Sequence, residues 1–315
     1  MASLNAGLVL TRGDAADMVA QVRQAEQRGV GTVWTTVGGP TADSVTALAA
    51  AAYATERIVL GTAVAPTYPR HPITLAAQAI AISDLAPGRF RLGIGTSHRP
   101  TIEGAYGIPM GKPHAHLREY LAILRDLLWA GTSAFSGEYF TVDSRLPDGV
   151  MPPKVPILVS ALRPNAFHLA GELADGAISW MTPIDYLVET ALPQLRDGAE
   201  AAGRPQPPLL AHVPVAISTD REAVRTAFHA QFGIYGRIPF YAAMFEAAGY
   251  PGTGGGEMPN RLLDTLAVSG SPEQARSRLR AIRDRGIDEL LVSLIVVEDR
   301  SSELEALSHV LADPV

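Results

Sequence analysis

Short apolar runs alternate with longer stretches of helical period along most of the chain, and the spacing predicts strand and helix in turn. Residues 7–10 read as a first strand. Residues 14–28 read as a helix, with Ala15, Met18, Val19, Val22 and Ala25 on one face, Asp14 as its cap and Gly29 as its stop. Residues 32–37 form a β-branched second strand, followed by an alanine-rich helix over 45–55. Strand three (58–64) leads through Pro66, Pro69 and Pro72 into a small-residue helix over 74–85, and strand four covers 90–95. A long excursion then holds a helix over about 113–129 and a hairpin around 135–140, and Pro152-Pro153 closes it. Strand five (155–160), a helix (165–173), strand six (176–180), a helix (185–202) and strand seven (209–217) follow. Ser271-Pro272-Glu273-Gln274 is a capping box with proline at the first helical position. That helix ends near Gly286, and strand eight covers 289–297.

Eight strands alternating with helices predict a parallel sheet, and at this length a closed (β/α)₈ TIM barrel fits best. A doubly wound open sheet is the second choice, but the early G-x-G-x-x-G of its dinucleotide-binding versions is missing. The barrel carries insertions after strand 4 and strand 7, within a single domain over 1–315. Residues 226–263 are left without an assignment. The run Pro251-Gly252-Thr253-Gly254-Gly255-Gly256 inside residues 250–259 reads as a mobile loop, not a domain boundary.

Composition narrows the function. At 47% apolar, 315 residues can bury one large core. A net charge of -6 and a pI near 5.8 leave no basic patch for a nucleic-acid backbone. The absence of cysteine excludes disulfides, thiolate nucleophiles and cysteine-held metals. Met1-Ala2-Ser3-Leu4 opens no signal peptide, and no apolar run approaches the ~18 residues of a membrane span, so a cytoplasmic protein is expected.

Barrel active sites lie at the carboxyl ends of the strands. After strand five, Ala161-Leu162-Arg163-Pro164-Asn165 places proline at a helix start. The free amides there and the positive dipole end make either an anion site or an ordinary loop with an exposed arginine. Thr96, Ser97 and His98 end strand four, where His98 is placed to act as a general acid or to polarise a carbonyl. Arg99 and Glu103 are balanced between site and surface. His71 either lines the pocket or anchors a turn. His114 and His116, at i and i+2, do not share a helix face, and no metal site is expected. Trp34 and Trp180 end strands, as packing or as flat walls for a ring. Tyr235, Phe240 and Tyr241 form either a lid or an exterior helix. No G-x-S-x-G, S-x-x-K or P-loop is present to support hydrolase or nucleotide chemistry.

Four stretches in order resemble the luciferase-like monooxygenase superfamily. They are Ala52-Tyr53-Ala54-Thr55-Glu56-Arg57-Ile58-Val59-Leu60-Gly61-Thr62, Tyr68-Pro69-Arg70-His71-Pro72, residues 84–95 with Asp84-Leu85-Ala86-Pro87-Gly88-Arg89-Phe90, and Leu169-Ala170-Gly171-Glu172-Leu173-Ala174-Asp175-Gly176. Ser97-His98-Arg99 with residues 102–107 is similar to its actinobacterial coenzyme F420-dependent branch. The resemblance implies a luciferase-like barrel with a deazaflavin at its rim, a cis peptide at Ala63–Val64 behind the ring, and the coenzyme's phosphate held at Ala161, Leu162, Arg163, Pro164, Asn165 and Ala166. Thr35, Thr36, Thr96, Ser97 and Trp180 complete the expected coenzyme contacts, and His98 is the expected catalytic residue. Sugar-phosphate dehydrogenase relatives carry an acid and a histidine after strand two, where this chain has Thr35-Thr36-Val37-Gly38-Gly39, and a glutamate where it has His98. Hydride transfer to an unsaturated or carbonyl-containing small molecule is therefore expected, in a homodimer. The alternatives are an FMN-dependent monooxygenase or a non-catalytic flavin- or deazaflavin-binding protein.

Overall fold

The computed structural model describes residues 4–10, 13–39, 41–253 and 258–312. Eight parallel strands form a closed ring. They are β1 (Ala6–Leu10), β2 (Thr32–Thr35), β3 (Val59–Thr62), β4 (Phe90–Gly95), β5 (Ile157–Ser160), β6 (Gly176–Ser179), β7 (Leu209–Ala216) and β8 (Glu289–Leu294). Each pairs with the next, and β8 pairs back onto β1 with Gly7 opposite Leu291, so the sheet has no edge left open at the seam. The closed barrel therefore stands and the open sheet does not.

Strand alternation divides the side chains into two cores. Outward residues meet the helices in one large cluster. Inward residues form a second, in which Val9, Leu158, Ile178, Leu210 and Leu291 make an aliphatic middle layer. Below that layer, Trp34 lies inside the barrel, fully buried. It stands against Gly7 and Gly61, where an added Cβ would come within 2.7 Å and 2.3 Å of the indole. The Arg91 guanidinium lies 4.5 Å over the same ring, and Glu289 receives two Arg91 N–H bonds (2.5 and 2.9 Å) and the Trp34 Nε1–H (3.0 Å). Arg91 and Glu289 belong to the amino ends of their strands, so this network closes the floor. Trp34 is thus interior packing, not a wall of the mouth.

The helices start where side chains cap them. Asp14, Asp43, Asp220 and Asp299 each accept amides of the following turn, and Ser271 with Gln274 completes a capping box. Residues 132–136 and 141–145 form the antiparallel hairpin that the sequence predicts between strands four and five. The longest connection follows β7. It holds the helices Arg221–Phe232, Pro239–Ala247 and Asn260–Leu266 and the 3₁₀ turn Gly233–Arg237, none of which the periodicity picks out, before the expected helix Pro272–Arg283. Of the glycine-rich run, Gly254, Gly255 and Gly256 lie outside the described residues. A last helix, Arg300–Leu311, is also absent from the sequence reading.

Candidate active site at the barrel mouth

Above the aliphatic layer the inward positions turn polar and aromatic. His212 on β7 and Ser293 on β8 share a 2.8 Å hydrogen bond through Nε2 and Oγ. The Trp180 indole, just past β6, stacks on the His212 ring at 3.5 Å and 7°. Full burial pushes the His212 pKa down to about 3, so the imidazole is neutral, and its Nδ1 finds no partner. Trp180 Nε1–H donates to the Tyr235 hydroxyl at 2.8 Å. Tyr235 meets Tyr241 edge-on at 4.8 Å, and Tyr241 packs 5.7 Å from the His98 ring. The connection after β7 therefore folds back over the mouth, and Tyr235 and Tyr241 cover it while Phe240 is half-exposed.

His98 is partly buried, and that burial lowers its pKa, which leaves a neutral imidazole at neutral pH. Two non-glycine residues at this rim hold left-handed backbone, Ser97 (φ 61°) after β4 and Met181 (φ 52°) after β6. Such conformations cost on the order of 1 kcal/mol and concentrate at functional sites.

Beyond β5, Arg163 is the extended N-cap of the helix Pro164–Leu173, and its side chain makes no capping bond. The Arg163 carbonyl takes the amides of Ala166 (2.9 Å) and Phe167 (3.3 Å), so Ala166 is not a free donor as the sequence reading expects. Among the described residues, no protein acceptor takes the amides of Leu162, Arg163 or Asn165. The nearby Tyr186 hydroxyl is buried without a partner, and burial raises its pKa against the opposing charge of Arg163. Free amides, a dipole end, an exposed guanidinium and an orphaned hydroxyl together fit an anion with several acceptor oxygens.

The remaining candidates divide. The Ala63–Val64 peptide is cis, as expected. Val64, Thr36, Thr96, Ser97 and Ser160 are half-exposed around the mouth, whereas Thr35 is fully buried. Alternation turns Thr35 to the helix side with Val33, its hydroxyl unpartnered, and it is not brought to the mouth. His71 caps the helix Pro72–Leu85, accepting the Ile73 amide, and Arg70 pairs with Asp43, so both anchor the loop. His116 stacks on Tyr68 at 3.8 Å and bonds Thr67 Oγ1 at 3.2 Å, and burial brings its pKa to about 4. His114 instead meets the Asn165 carbonyl at 3.3 Å. Arg99 and Glu103 pair with each other on an exposed turn. Sequence reasoning missed His212, Ser293, Ser160 and Tyr186. A lone histidine inside the apolar run Leu209–Ala216 was the available signal for the first.

The luciferase-like monooxygenase family model matches residues 2–289. An F420-dependent glucose-6-phosphate dehydrogenase of Nakamurella multipartita is 36% identical over 201 residues, which is 60% of this chain and 58% of that protein, so the chain spans less than two thirds of its length. A 5,10-methylenetetrahydromethanopterin reductase of Methanolobus tindarius is 27% identical over 294 residues, 85% of this chain and 86% of the relative. Among solved structures, an F420-dependent secondary alcohol dehydrogenase in complex with an F420-acetone adduct superposes with TM-score 0.81 at 17% identity, covering 99% of this chain and 100% of the other. With the closed barrel and its rim in place, the match over nearly the whole sequence shows that the chain belongs to the luciferase-like monooxygenase family.

Proposed function

We propose that this protein is a coenzyme F420-dependent oxidoreductase that moves hydride between the deazaflavin and a small unsaturated or carbonyl compound. The observation that carries the reading is the head of the helix Pro164–Leu173, where amides without acceptors stand beside Arg163 and the orphaned Tyr186 hydroxyl. The names of two relatives, an F420-dependent dehydrogenase and a methylenetetrahydromethanopterin reductase, support it. The amides of Leu162, Arg163 and Asn165 would hold the phosphate, with Ala161 and Pro164 shaping the loop. Ala63, Val64, Thr36, Thr96, Ser97 and Trp180 would border the ring. Bound there, the deazaflavin would supply a two-electron hydride carrier, which no side chain provides. His98, neutral through burial, would donate a hydrogen bond to the substrate oxygen as charge builds on it. Tyr235 and Tyr241 would keep water from the reacting face.

Calorimetric titration with coenzyme F420 and, separately, with FMN tests this. The deazaflavin is expected to bind at micromolar concentration or tighter, about -8 kcal/mol. Preference for FMN, or binding of neither, would overturn the reading.

A further inference from the structure

The side chains above the floor of the mouth define what can lie there. One face of the Trp180 indole is closed by the His212 ring at 3.5 Å, and the indole edge is fixed by its bond to Tyr235. Trp180 is nevertheless not fully buried, so part of the residue remains accessible. Tyr235, Tyr241 and His98 continue this wall edge to edge. The two histidines are uncharged at neutral pH because burial disfavours the cation, and burial raises the Tyr241 phenol well above its ordinary value. The cation–aromatic contacts of the described residues involve Trp34, Trp129 and Tyr250, none of them at the mouth. Of the arginines described near this wall, Arg99 pairs with Glu103, Arg163 stands at the helix head assigned to the coenzyme phosphate, and Arg237 lines a cavity with His229, Met258 and Asn260.

A rigid indole backed by a second ring favours another flat ring, which stacks without ordering new side chains. The five side chains of this wall, Trp180, His212, Tyr235, Tyr241 and His98, offer a dianion no guanidinium or ammonium to replace its lost hydration. We infer that the substrate pocket takes a flat, uncharged, unsaturated ring laid along Trp180 and rejects sugar phosphates. The inference rests on the oxidoreductase reading for calling this ring the substrate, but the stacking site stands on the geometry of Trp180, His212 and Tyr235 alone.

The experiment is calorimetry on the protein loaded with oxidised coenzyme F420, titrated with coumarin, with coumarin-3-carboxylate and with glucose 6-phosphate. Coumarin is expected to bind at least about tenfold more tightly than its carboxylate, and glucose 6-phosphate not measurably. Trp180→Leu should weaken coumarin about tenfold. Tyr235→Phe, which keeps the ring and removes only the bond that fixes the indole, should weaken it about threefold. Equal binding of coumarin and its carboxylate, a preference for glucose 6-phosphate, or coumarin affinity unmoved in both variants would overturn the inference. If the coenzyme does not bind but the apoprotein still distinguishes coumarin from its carboxylate through Trp180, the cofactor reading falls and the stacking site survives.

Discussion

Replacing Glu289 with alanine should cost the fold about 3 kcal/mol. The figure follows from what the carboxylate holds. Its side chain is 6% exposed, and it accepts two N–H bonds from Arg91 and one from Trp34. Without it, the guanidinium keeps a long contact to Thr32 Oγ1 (3.4 Å) and the indole face, and the Trp34 N–H is left buried with no acceptor. Breaking a buried pair costs about 3–5 kcal/mol and an orphaned donor about 1–3. Arg91 is 23% exposed, so water recovers part of the first penalty, and the total settles near the lower end. Urea unfolding followed by far-ultraviolet circular dichroism measures it. Glu289→Gln should fall between wild type and alanine, because the amide oxygen still serves Trp34. The double variant Arg91→Met, Glu289→Met should regain part of the loss, since a buried pair is often matched by apolar groups of similar volume, while the Trp34 N–H stays without its acceptor. A loss below about 1 kcal/mol in the alanine variant, or a double variant as unstable as the two single ones added, would refute the account of the floor.

His98→Ala should lower kcat with the true substrate about 10²–10³-fold, with a smaller effect on KM, because the hydrogen bond strengthens in the transition state. Since burial favours neutral His98, wild-type kcat should stay level from about pH 8 to 7; a rise on acidification would show that the cation is the working form. His212 links stability to pH. Its folded pKa, about 3, lies below the 6.5 of a free imidazole, so the unfolded chain takes up the proton first. Stability from this group is complete above pH 6.5 and declines as pH falls, by about 1.4 kcal/mol per unit, or about 2 kcal/mol at pH 5. His212→Phe keeps the stack on Trp180 and should flatten that decline; unfolding midpoints at the two pH values that fall equally in both proteins would rule the linkage out.

The barrel was legible because each strand is a short apolar run, bounded by a capping residue or a glycine, and the period changes from 2 to 3.6 between elements. Strand ends were less so. Thr36, Val37, Ala63 and Val64 continue the apolar pattern of β2 and β3, but the ladder stops at Thr35 and Thr62. The anion site was readable because proline at a helix start is a local signal. That Ala166 gives its amide to Arg163 was not, because it depends on the turn's exact geometry. Thr35 and Trp34 show the same limit: adjacent in sequence, one faces the helices and the other fills the barrel, and only the register of the sheet decides which. Tyr235 and Tyr241 meet Trp180 and His98, which lie 55 and 143 residues earlier in the chain, and no local pattern announces such a meeting.

Trp34 and its two facing glycines form a single unit of volume. Neither Gly7 nor Gly61 has room for a methyl group while the indole is present, and the indole has no room if either glycine gains one. Drift at these sites is therefore tied together. A lineage that exchanges the tryptophan for a smaller residue releases both glycines at once, and one that keeps it holds both fixed. The three positions should be inherited as one character, and their joint state would mark which way a given branch has filled the base of its barrel.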